Sequence, residues 1–533
     1  MARPRHGNHR DEHARLLAEH VELLESSVRE QLGPLAGSLV RALNRHGALT
    51  LRELADAVKR EPFGNPLSTG DAARHVGCPL AVPAPAGEVG TDAAIKELMA
   101  RLVLHRVVCY DAERHVYGVA LGYGLLLRTL FPLVLRFFQR RYGETGVTLL
   151  MVFHQLATVP WEAALRLATE RRPALSEALR HCAREMERLG LVEFVSAGRG
   201  GVEEAAAAPT ATLSPDPCRL HVGNILAEML HDAIQHQLLA ERFADGGVAA
   251  AVVEAFTTAG RGRRLEERAP GFPPVHPRTS VSLPLRVLLR EVPLAEAAVV
   301  ATVSRMCRPD GEALLSNDGT AAVAVEGPYR FRYDAAIEAM QRDCCERLVF
   351  ARHGVLGVRL TKLLLQHHNM EDRMLAEEAI ATLPRTREVL HAMLRDGYVR
   401  QQEVPKSGVM ADRQPKNSVF LWGCSLEKDL LPAVRAQVAK ALRITLARLS
   451  QERKAAANEA ASFTAAAAAA ASGVAGAAPG AAESEAACPA PAAGVRRATG
   501  EVTAETLRSL RAVAALESSA SALMGTMLVL DFY

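Results

Sequence analysis

The sequence predicts a mainly helical chain that carries small antiparallel β wings. Hydrophobic residues make up 49% of the 533 residues but aromatic residues only 5%, and this composition, rich in alanine and leucine, favours helices over sheets. One arrangement also recurs: an amphipathic helix, a short break, and a strand of large apolar residues. It occurs at residues 96–111, 182–195, 293–307 and 391–404. Because the spacing between these copies is irregular, the pattern predicts a tandem of small domains and not a solenoid.

The clearest copy lies at residues 361–422. It reads as helices up to Asn369, at residues 370–380 and at residues 385–396, followed by strands at residues 398–404 and 418–422. Pro384 stands where a helix tolerates a first-turn proline, and Gly397 stands where a helix ends. This order of elements is that of a winged helix. We expect the leucines of its helices to share one core: Leu363, Leu364, Leu390 and Leu394.

Residues 1–120 predict a first winged helix. Thr50 with Glu53 three residues later is a capping-box pattern that starts its second helix. The predicted elements are, in order, a lead-in helix at residues 13–31, a first helix from Pro34, a second helix from Leu51, an insertion loop at residues 61–90, a third helix at residues 92–106 and a wing at residues 107–119.

Residues 121–197 predict a second winged helix, with helices at residues 128–141, 146–157 and 161–171 and a last helix that begins at Pro173. The last helix has a buried stripe with four- and three-residue spacing: Leu175, Leu179, Cys182, Met186 and Leu189. The Gly-, Ala- and Pro-rich residues 198–217 are interpreted as a linker to the next domain.

Residues 218–332 and 333–424 predict the third and fourth winged helices. A long helix at residues 220–243 opens the third. Residues 261–278 are polar and proline-rich, which favours a surface loop. The Asn-Asp-Gly sequence at residues 317–319 is a hairpin signal for the wing.

Residues 425–533 predict a C-terminal coiled-coil hairpin. Apolar stripes with three- and four-residue spacing run from Leu431 to Leu449 and from Leu507 to Leu530. The alanine-rich, low-complexity residues 455–494 separate the stripes and are interpreted as a spacer outside the core. Whether this spacer is helix or coil stays open at the level of sequence.

Charge and cysteine usage limit the functional classes. Lysine and arginine number 63 against 60 acidic residues, a formal net charge of +3, so nucleic-acid contact must come from local patches. The nine cysteines are scattered without a CxxC pair, which argues against a zinc ribbon or a disulfide framework and favours a reducing compartment. The polar N-terminus does not resemble a signal peptide, and the most apolar run, residues 121–138, is interrupted by charges and a proline, so we expect no membrane span.

The sequence carries no Walker loop, no GxSxG and no HExxH motif. We therefore predict no active site, no cofactor and no metal. His367, His368, Glu371 and Asp372 could be drawn as a metal cluster. We interpret them instead as the end of one helix and the acidic first turn of the next.

Two of the third helices carry cations at four-residue intervals, opposite the apolar stripe. The candidate nucleic-acid-binding residues are Arg180, Arg184 and Arg188 in the second domain and Arg387, His391 and Arg395 in the fourth. In a winged helix that reads DNA, this face enters or borders the major groove, and arginine suits phosphates and guanine edges. The alternative is a solvated face on which Glu185 and Glu187 flank the arginines. Contact with the nucleic-acid backbone, or with protein, fits the pattern better than base reading.

Three motifs between residues 334 and 422 carry a resemblance: DCCERLVFARHG, TKLLLQHHNMEDRMLAEEAI, and RQQEVPK followed by SVFLW. They resemble the RNA polymerase III subunit that forms the core of that enzyme's initiation heterotrimer. That family shows a cysteine-rich arginine run, a KLLLQ-like helix, an acidic helix and a wing of the form LQEIPK. The first copy and the C-terminal stripes follow in the family's order. The insertion at 61–90, the loop at 261–278 and the alanine tract depart from the family's pattern.

The resemblance implies a nuclear, non-catalytic polymerase subunit with four extended winged helices. Such a subunit docks on the clamp of the largest polymerase subunit and binds two smaller heterotrimer partners. Beside transcription factor IIIB it helps to open promoter DNA at tRNA, 5S rRNA and other small RNA genes.

Two other functions stay open. A free DNA-binding regulator built of tandem winged helices should show a strongly basic third helix and a dimer interface. A winged-helix scaffold without a nucleic-acid role fits the near-neutral charge. Identifying the proteins that accompany the chain would separate the three possibilities.

Overall fold

The computed structural model describes residues 9–60, 92–195, 216–243, 246–261, 263, 265–268, 271–308, 313–317, 328–405, 418–474 and 504–533. In these ranges the chain is mainly helical and its strands form four small sheets. The predicted combination of helices and small β wings is therefore confirmed. The chain divides into two compact units, Met1–Ala439 with Gly525–Tyr533, and Lys440–Met524.

The N-terminal helices lead into the first sheet. The elements are α1 (His9–Leu32), α2 (Pro34–His46), α3 (Leu51–Arg60), α4 (Asp92–Leu104), β1 (Val108–Asp111) and β2 (Val116–Val119), and the two strands pair antiparallel. The predicted capping box is present. The backbone N–H of Thr50 donates to Glu53 Oε2 at 2.9 Å, and the N–H of Glu53 donates to Thr50 Oγ1 at 3.3 Å. The predicted insertion at residues 61–90 lies outside the described residues.

The second group of elements follows directly: α5 (Leu121–Gly124), a π-helical turn (Leu125–Thr129), α6 (Phe131–Leu156), β3 (Val159–Pro160), α7 (Trp161–Arg171), α8 (Ser176–Arg188), β4 (Val192–Phe194) and β5 (Pro217–Leu220). The two helices predicted at 128–141 and 146–157 correspond to the two parts of α6, which are separated by a break at Gly143, where φ is +62°. The stripe predicted on α8 is confirmed at Leu179, Cys182 and Met186, which are buried.

The linker predicted at residues 198–217 lies outside the described residues up to residue 215, and its last residue, Pro217, begins β5. Strand β5 pairs antiparallel with both β3 and β4, and Cys218 stands opposite Val159 on one side and Phe194 on the other. The predicted linker therefore joins two strands of one sheet, and a domain boundary after residue 217 would divide β5. Glycine, alanine and proline suit any connection that leaves the core, so composition does not distinguish a wing connection from an interdomain linker.

The third group contains α9 (Val222–Ala233), a π-helical turn (Ile234–Leu239), α10 (Ala240–Arg242), α11 (Gly246–Ala259), β6 (Leu283–Pro284), α12 (Leu285–Glu291), α13 (Glu296–Met306), β7 (Leu315–Asn317) and β8 (Pro328–Phe331). Strand β8 lies between β6 and β7 in the sheet. Phe256, Leu288, Val303 and Phe331 belong to its apolar core. The hairpin turn predicted after Asn317 lies outside the described residues.

Residues 271–277 were predicted as part of a surface loop, and this is wrong. The carbonyl of Gly271 accepts hydrogen bonds from the backbone N–H groups of Gly122 and Tyr123, at 3.0 and 3.2 Å. The ring of Phe272 lies so close to Gly122 that an added Cβ would come within 2.5 Å of it. This proline-rich stretch is therefore packed against α5, and the polar residues that precede it at 261–268 favoured the surface-loop prediction.

His231 in α9 and His276 form a half-buried pair of neutral imidazoles. Their Nε2 atoms lie 3.1 Å apart, and His276 Nδ1 lies 3.0 Å from the carbonyl oxygen of Pro277. Because a carbonyl only accepts, His276 is protonated on Nδ1, and its Nε2 accepts from the Nε2–H of His231. Nδ1 of His231 then has no hydrogen-bond partner within the described ranges. Burial first, and then the nearby His276, lower the pKa of His231 to about 3.

The fourth group contains α14 (Tyr333–His367), β9 (Asn369–Glu371), α15 (Asp372–Glu378), α16 (Leu383–Arg395), β10 (Arg400–Pro405) and β11 (Ser418–Gly423). The two predicted wing strands are confirmed, with Gln401 opposite Trp422. Of the four predicted core leucines, Leu364 and Leu390 are fully buried, while Leu363 and Leu394 are half-buried.

The helix predicted at residues 370–380 is wrong at both ends. Met370 pairs with Trp422 in β9, a third strand of the sheet. At the other end Ile380 has φ +52° and is 88% exposed. The apolar periodicity of this segment continues beyond the helix, so it does not mark where the helix begins or ends.

A π-helical turn (Leu426–Leu430) leads into α17 (Leu431–Val474), and α18 (Ala504–Asp531) follows the undescribed residues 475–503. Within the unit Lys440–Met524, Arg453 Nη2 lies 2.9 Å from Glu517 Oε1, and Ser509 Oγ donates to Glu459 Oε2 at 3.2 Å. Since the residue numbers rise on α17 as they fall on α18, the two helices run antiparallel here.

The predicted C-terminal stripes are confirmed only in part. Leu442 and Leu449 are buried, but Leu510 is 55% exposed. Helix α17 continues into the predicted alanine-rich spacer as far as Val474. Residues 475–494 of that spacer lie outside the described ranges.

The last nine residues, Gly525–Tyr533, belong to the first compact unit. Met527 and Leu530 are buried there. The carboxylate of Asp531 lies 3.0 Å from His20 Nε2 and 3.3 Å from Arg435 Nε. The end of α18 is thereby tied to the lead-in helix α1.

Among the described helices, Arg508–Asp531 is long and apolar enough to cross a membrane, with a mean hydropathy of 1.5 and 33% of its residues buried. Leu121–Thr129 and Phe131–Leu156 would qualify only as one span bent by 59°. Because helices in protein cores also pass this test of length and composition, it is weak support for a membrane segment.

Candidate nucleic-acid interface

Helix α8 presents its three arginines to solvent. Arg180, Arg184 and Arg188 are all exposed and lie opposite the buried Leu179 and Met186. The side chains occupy this face because the helix places every fourth residue on one side, while the apolar stripe takes the other.

The three arginines of α8 differ in their partners. Arg188 forms a two-pronged pair with Glu185, with Nη2 at 2.6 Å and Nε at 3.0 Å. These hydrogen bonds raise the pKa of Arg188 and lower the pKa of Glu185. Arg184 Nε reaches only the carbonyl of Arg180, at 3.4 Å, and within the described ranges Arg180 and Arg184 make no ion pair. The alternative of ion pairs within the helix therefore applies at Arg188. The guanidinium groups of Arg180 and Arg184 are available to a binding partner.

Helix α16 presents Arg387, His391 and Arg395, and all three are exposed. Arg387 Nε pairs with Asp372 Oδ2 at 2.6 Å, and this pair links α16 to α15. The His391 ring meets the edge of Trp422 with centroids 5.2 Å apart, so it packs on the wing strand β11. Arg395 makes no ion pair with any residue that the structure describes. The sequence shows the four-residue spacing of these cations but not that two of the side chains contact neighbouring residues.

The third helix of the remaining groups has a different surface. On α4 the exposed Lys96 stands next to Glu97, whose carboxylate pairs with Arg101 at 2.5 Å. Near and on α13, Leu294 and Val300 are 44% and 37% exposed, with alanines around them. The sequence analysis assigned no candidate cations to these two helices and missed the exposed apolar residues near α13. Their signal was the run of alanine and valine at residues 297–301.

The histidines near residue 368 lie at the end of α14, and Asp372 begins α15. His367 Nε2 lies 3.6 Å from Glu378 Oε2, and His368 has φ +65° at the end of α14. In the described part of the chain no group of three or more His, Cys, Asp or Glu side chains is placed to hold a metal ion.

Helices α14 to α16 and the sheet of β9, β10 and β11 form a winged helix. Comparison with known proteins relates this part of the chain to a family. Residues 345–424 match the family model described as the C-terminal winged-helix domain of POLR3C. In this segment the chain is therefore similar to POLR3C. The resemblance to the RNA polymerase III subunit, drawn from the motifs at residues 334–422, is thereby confirmed.

Individual relatives are also named as subunits of RNA polymerase III. The chain is 31% identical over 108 residues to the DNA-directed RNA polymerase III subunit rpc3 of Aspergillus fumigatus, and equally to that of Neosartorya fischeri. It is 34% identical over 77 residues to the rpc3 subunit of Emericella nidulans. The first two matches cover 20% of this chain and 16% of each relative, and the third covers 14% and 12%. The matched part of this chain therefore spans less than a fifth of the length of these relatives.

Proposed function

We propose that this chain is a non-catalytic subunit of RNA polymerase III, equivalent to the largest member of its initiation heterotrimer. The observation that carries the proposal is the POLR3C-type winged helix at residues 345–424. Its three helices, its three-stranded sheet and its buried Leu364 and Leu390 support a winged-helix fold for the matched sequence.

The architecture we propose is four tandem winged helices followed by a coiled-coil hairpin. Each of the four small sheets follows a group of helices, as the motif requires. The pairing of β5 moves the end of the second winged helix from residue 197 to Leu220. The other proposed domains are residues 1–120, 221–332 and 333–424. The antiparallel run of α17 and α18 within Lys440–Met524 supports the hairpin for residues 425–533.

We propose that the cations of α8 and α16 contact the nucleic-acid backbone. Arg180, Arg184 and Arg395 are exposed, and the described residues leave their guanidinium groups without an ion pair. A guanidinium group without an ion pair binds a phosphate more favourably than a paired one, because no contact with a carboxylate must be broken first. Arg188, Arg387 and His391 already have partners, so their share of the contact is smaller.

The partners that follow from this proposal are proteins as well as DNA. They are the clamp of the largest polymerase subunit, two smaller heterotrimer subunits, transcription factor IIIB and promoter DNA, and the compartment is the nucleus. The exposed apolar residues near α13 support protein docking by the third winged helix, since an apolar face neither donates hydrogen bonds to a phosphate nor carries a positive charge. The activity of such a subunit is promoter opening and initiation at genes for tRNA, 5S rRNA and other small RNAs.

Affinity purification from the native cell tests the proposal. The tagged full-length chain should co-purify with the catalytic subunits of RNA polymerase III, as identified by mass spectrometry. A chain that purifies alone as a specific DNA-binding dimer would support the regulator instead. A stable assembly without polymerase subunits would support the scaffold.

A further inference from the structure

A cleft of about 560 Å³ opens between α9, α14, the turn before α17 and the C-terminal residues. Its floor is apolar and consists of Leu226, Leu230, Leu431 and Phe532, all of which are largely buried in the fold. A cavity of this size holds a small ligand or a few side chains of a peptide. All of its walls belong to the unit that contains Met1–Ala439 and Gly525–Tyr533.

The rim of the cleft is acidic. Five carboxylates line it, Glu266, Glu267, Asp334, Glu338 and Glu427, against two guanidinium groups, Arg268 and Arg278. Three negative charges are therefore in excess among the lining residues. Burial keeps the imidazole of His276, which also lines the cleft, at a lowered pKa, so at neutral pH it adds no compensating positive charge.

Several of these charges are already used within the fold. Asp334 lies 3.4 Å from Arg332, and Glu338 lies 2.8 Å from Arg342. Arg268 donates to the backbone carbonyl of Asp531 at 2.8 Å. By contrast, the carboxylates of Glu266 and Glu427 are exposed and make no ion pair or hydrogen bond with the residues that the structure describes.

We propose that this cleft binds a basic, partly apolar peptide segment of a partner protein. Lysine or arginine side chains of the segment pair with Glu266 and Glu427, and an apolar side chain rests on the leucine floor. Charge complementarity selects this occupant, because an acidic segment would meet the excess of carboxylates and a purely apolar one would leave them unpaired. No residue of α8 or α16 is among those that line the cleft, and the proposal does not depend on membership of the polymerase.

Fluorescence anisotropy with the full-length chain tests the cleft. The probe is a short labelled peptide in which lysines alternate with leucines. The double variant Glu266→Gln with Glu427→Gln removes both open carboxylates and keeps their shape. We expect it to bind the probe about fivefold to tenfold more weakly than the unmodified chain. Raising the salt should narrow this difference, because exposed ion pairs are screened.

Matched controls make the result specific. Glu254→Gln removes an exposed carboxylate on α11 that makes no ion pair within the described residues, and it should bind the probe like the unmodified chain. A lysine–serine peptide should bind more weakly than the lysine–leucine peptide, and a glutamate–leucine peptide should not bind. Unchanged binding by the double variant would overturn the proposal, as would an equal loss in Glu254→Gln or equal binding of the three peptides. Because the assay uses no polymerase, its failure is separate from a failure of the purification experiment.

Discussion

The arginines of α8 give the sharpest test of nucleic-acid contact. The change is the triple variant Arg180, Arg184 and Arg188 to alanine. Because all three side chains are exposed and Leu179 and Met186 stay untouched, the fold should survive. Alanine is also the best helix former, so the helix itself should not weaken.

The size of the effect follows from the partners of each arginine. Each phosphate contact with duplex DNA adds about 0.9 to the slope of log affinity against log salt. Arg188 is already paired with Glu185 at 2.6 Å, so we count only two phosphate contacts in the unmodified chain, those of Arg180 and Arg184. The triple variant should therefore lose about two units of slope. Between about 50 mM and about 200 mM salt, the unmodified chain should lose about twelvefold more affinity than the variant.

The assay is anisotropy of labelled duplex DNA over a salt series, repeated with unrelated sequences. Backbone contact predicts the same loss for every sequence. Arg448→Ala is the matched control, since Arg448 is exposed on α17 and makes no ion pair within the described ranges. If the triple variant keeps the full slope but no longer purifies with the polymerase, the arginines form a protein-docking face and the DNA assignment is refuted.

Four further predictions concern stability. Leu390→Ala, at a fully buried position of the fourth winged helix, should lower the free energy of unfolding by about 2–5 kcal/mol in urea titrations, and a loss within experimental error would show that the site is not core. Gly143→Ala should lower the free energy of unfolding by about 1 kcal/mol, because φ is +62° and no atom lies near the new Cβ, so that only backbone strain acts. Gly525→Ala lies in a helix with open space around the new Cβ and should raise the free energy of unfolding by a similar amount. Equal effects of the two variants would contradict the explanation by backbone strain. Deletion of residues 475–494 should leave the unfolding midpoint nearly unchanged, since loop closure depends weakly on length, and loss of folding would make the tract structural. Unfolded His231 takes up a proton near pH 6.5 and the folded side chain only near pH 3, so stability should fall as the pH falls through this window; His231→Gln should flatten the curve measured by denaturant titration, and an unchanged curve would exclude His231 as the source.

The helices were predictable where local signals are strong. Thr50 with Glu53, Pro384, and Gly397 with φ +82° act through their own backbone and the next turn, so the sequence states them directly. Long-range pairing was not predictable in the same way. Met370 carries an apolar side chain that suits a helix or a strand equally, and its pairing with Trp422, 52 positions along the chain, decides for the strand.

The candidate site divides along the same line. The four-residue spacing of the cations on α8 and on α16 follows from the sequence, and so does their exposure, because the opposite face is apolar. The sequence does not show which of these cations are available to a binding partner. Glu185 reaches Arg188 only in the rotamers adopted on α8, and Asp372 reaches Arg387 only because α15 packs beside α16. The acidic cleft has no sequence signal at all, since its carboxylates come from segments far apart in the chain.

The sequence by itself determined that this protein is mainly helical, that a helix–strand unit recurs along it, and that residues 334–422 resemble an RNA polymerase III subunit. These conclusions rest on periodicity, capping and local motifs, whose physical causes lie within a few residues of each other. Only the tertiary structure decided that β5 closes the second sheet, that residues 271–277 are packed, and that the end of α18 reaches α1. Such contacts are set by which buried surfaces and hydrogen-bonding groups satisfy one another across the chain, and no local pattern records that choice.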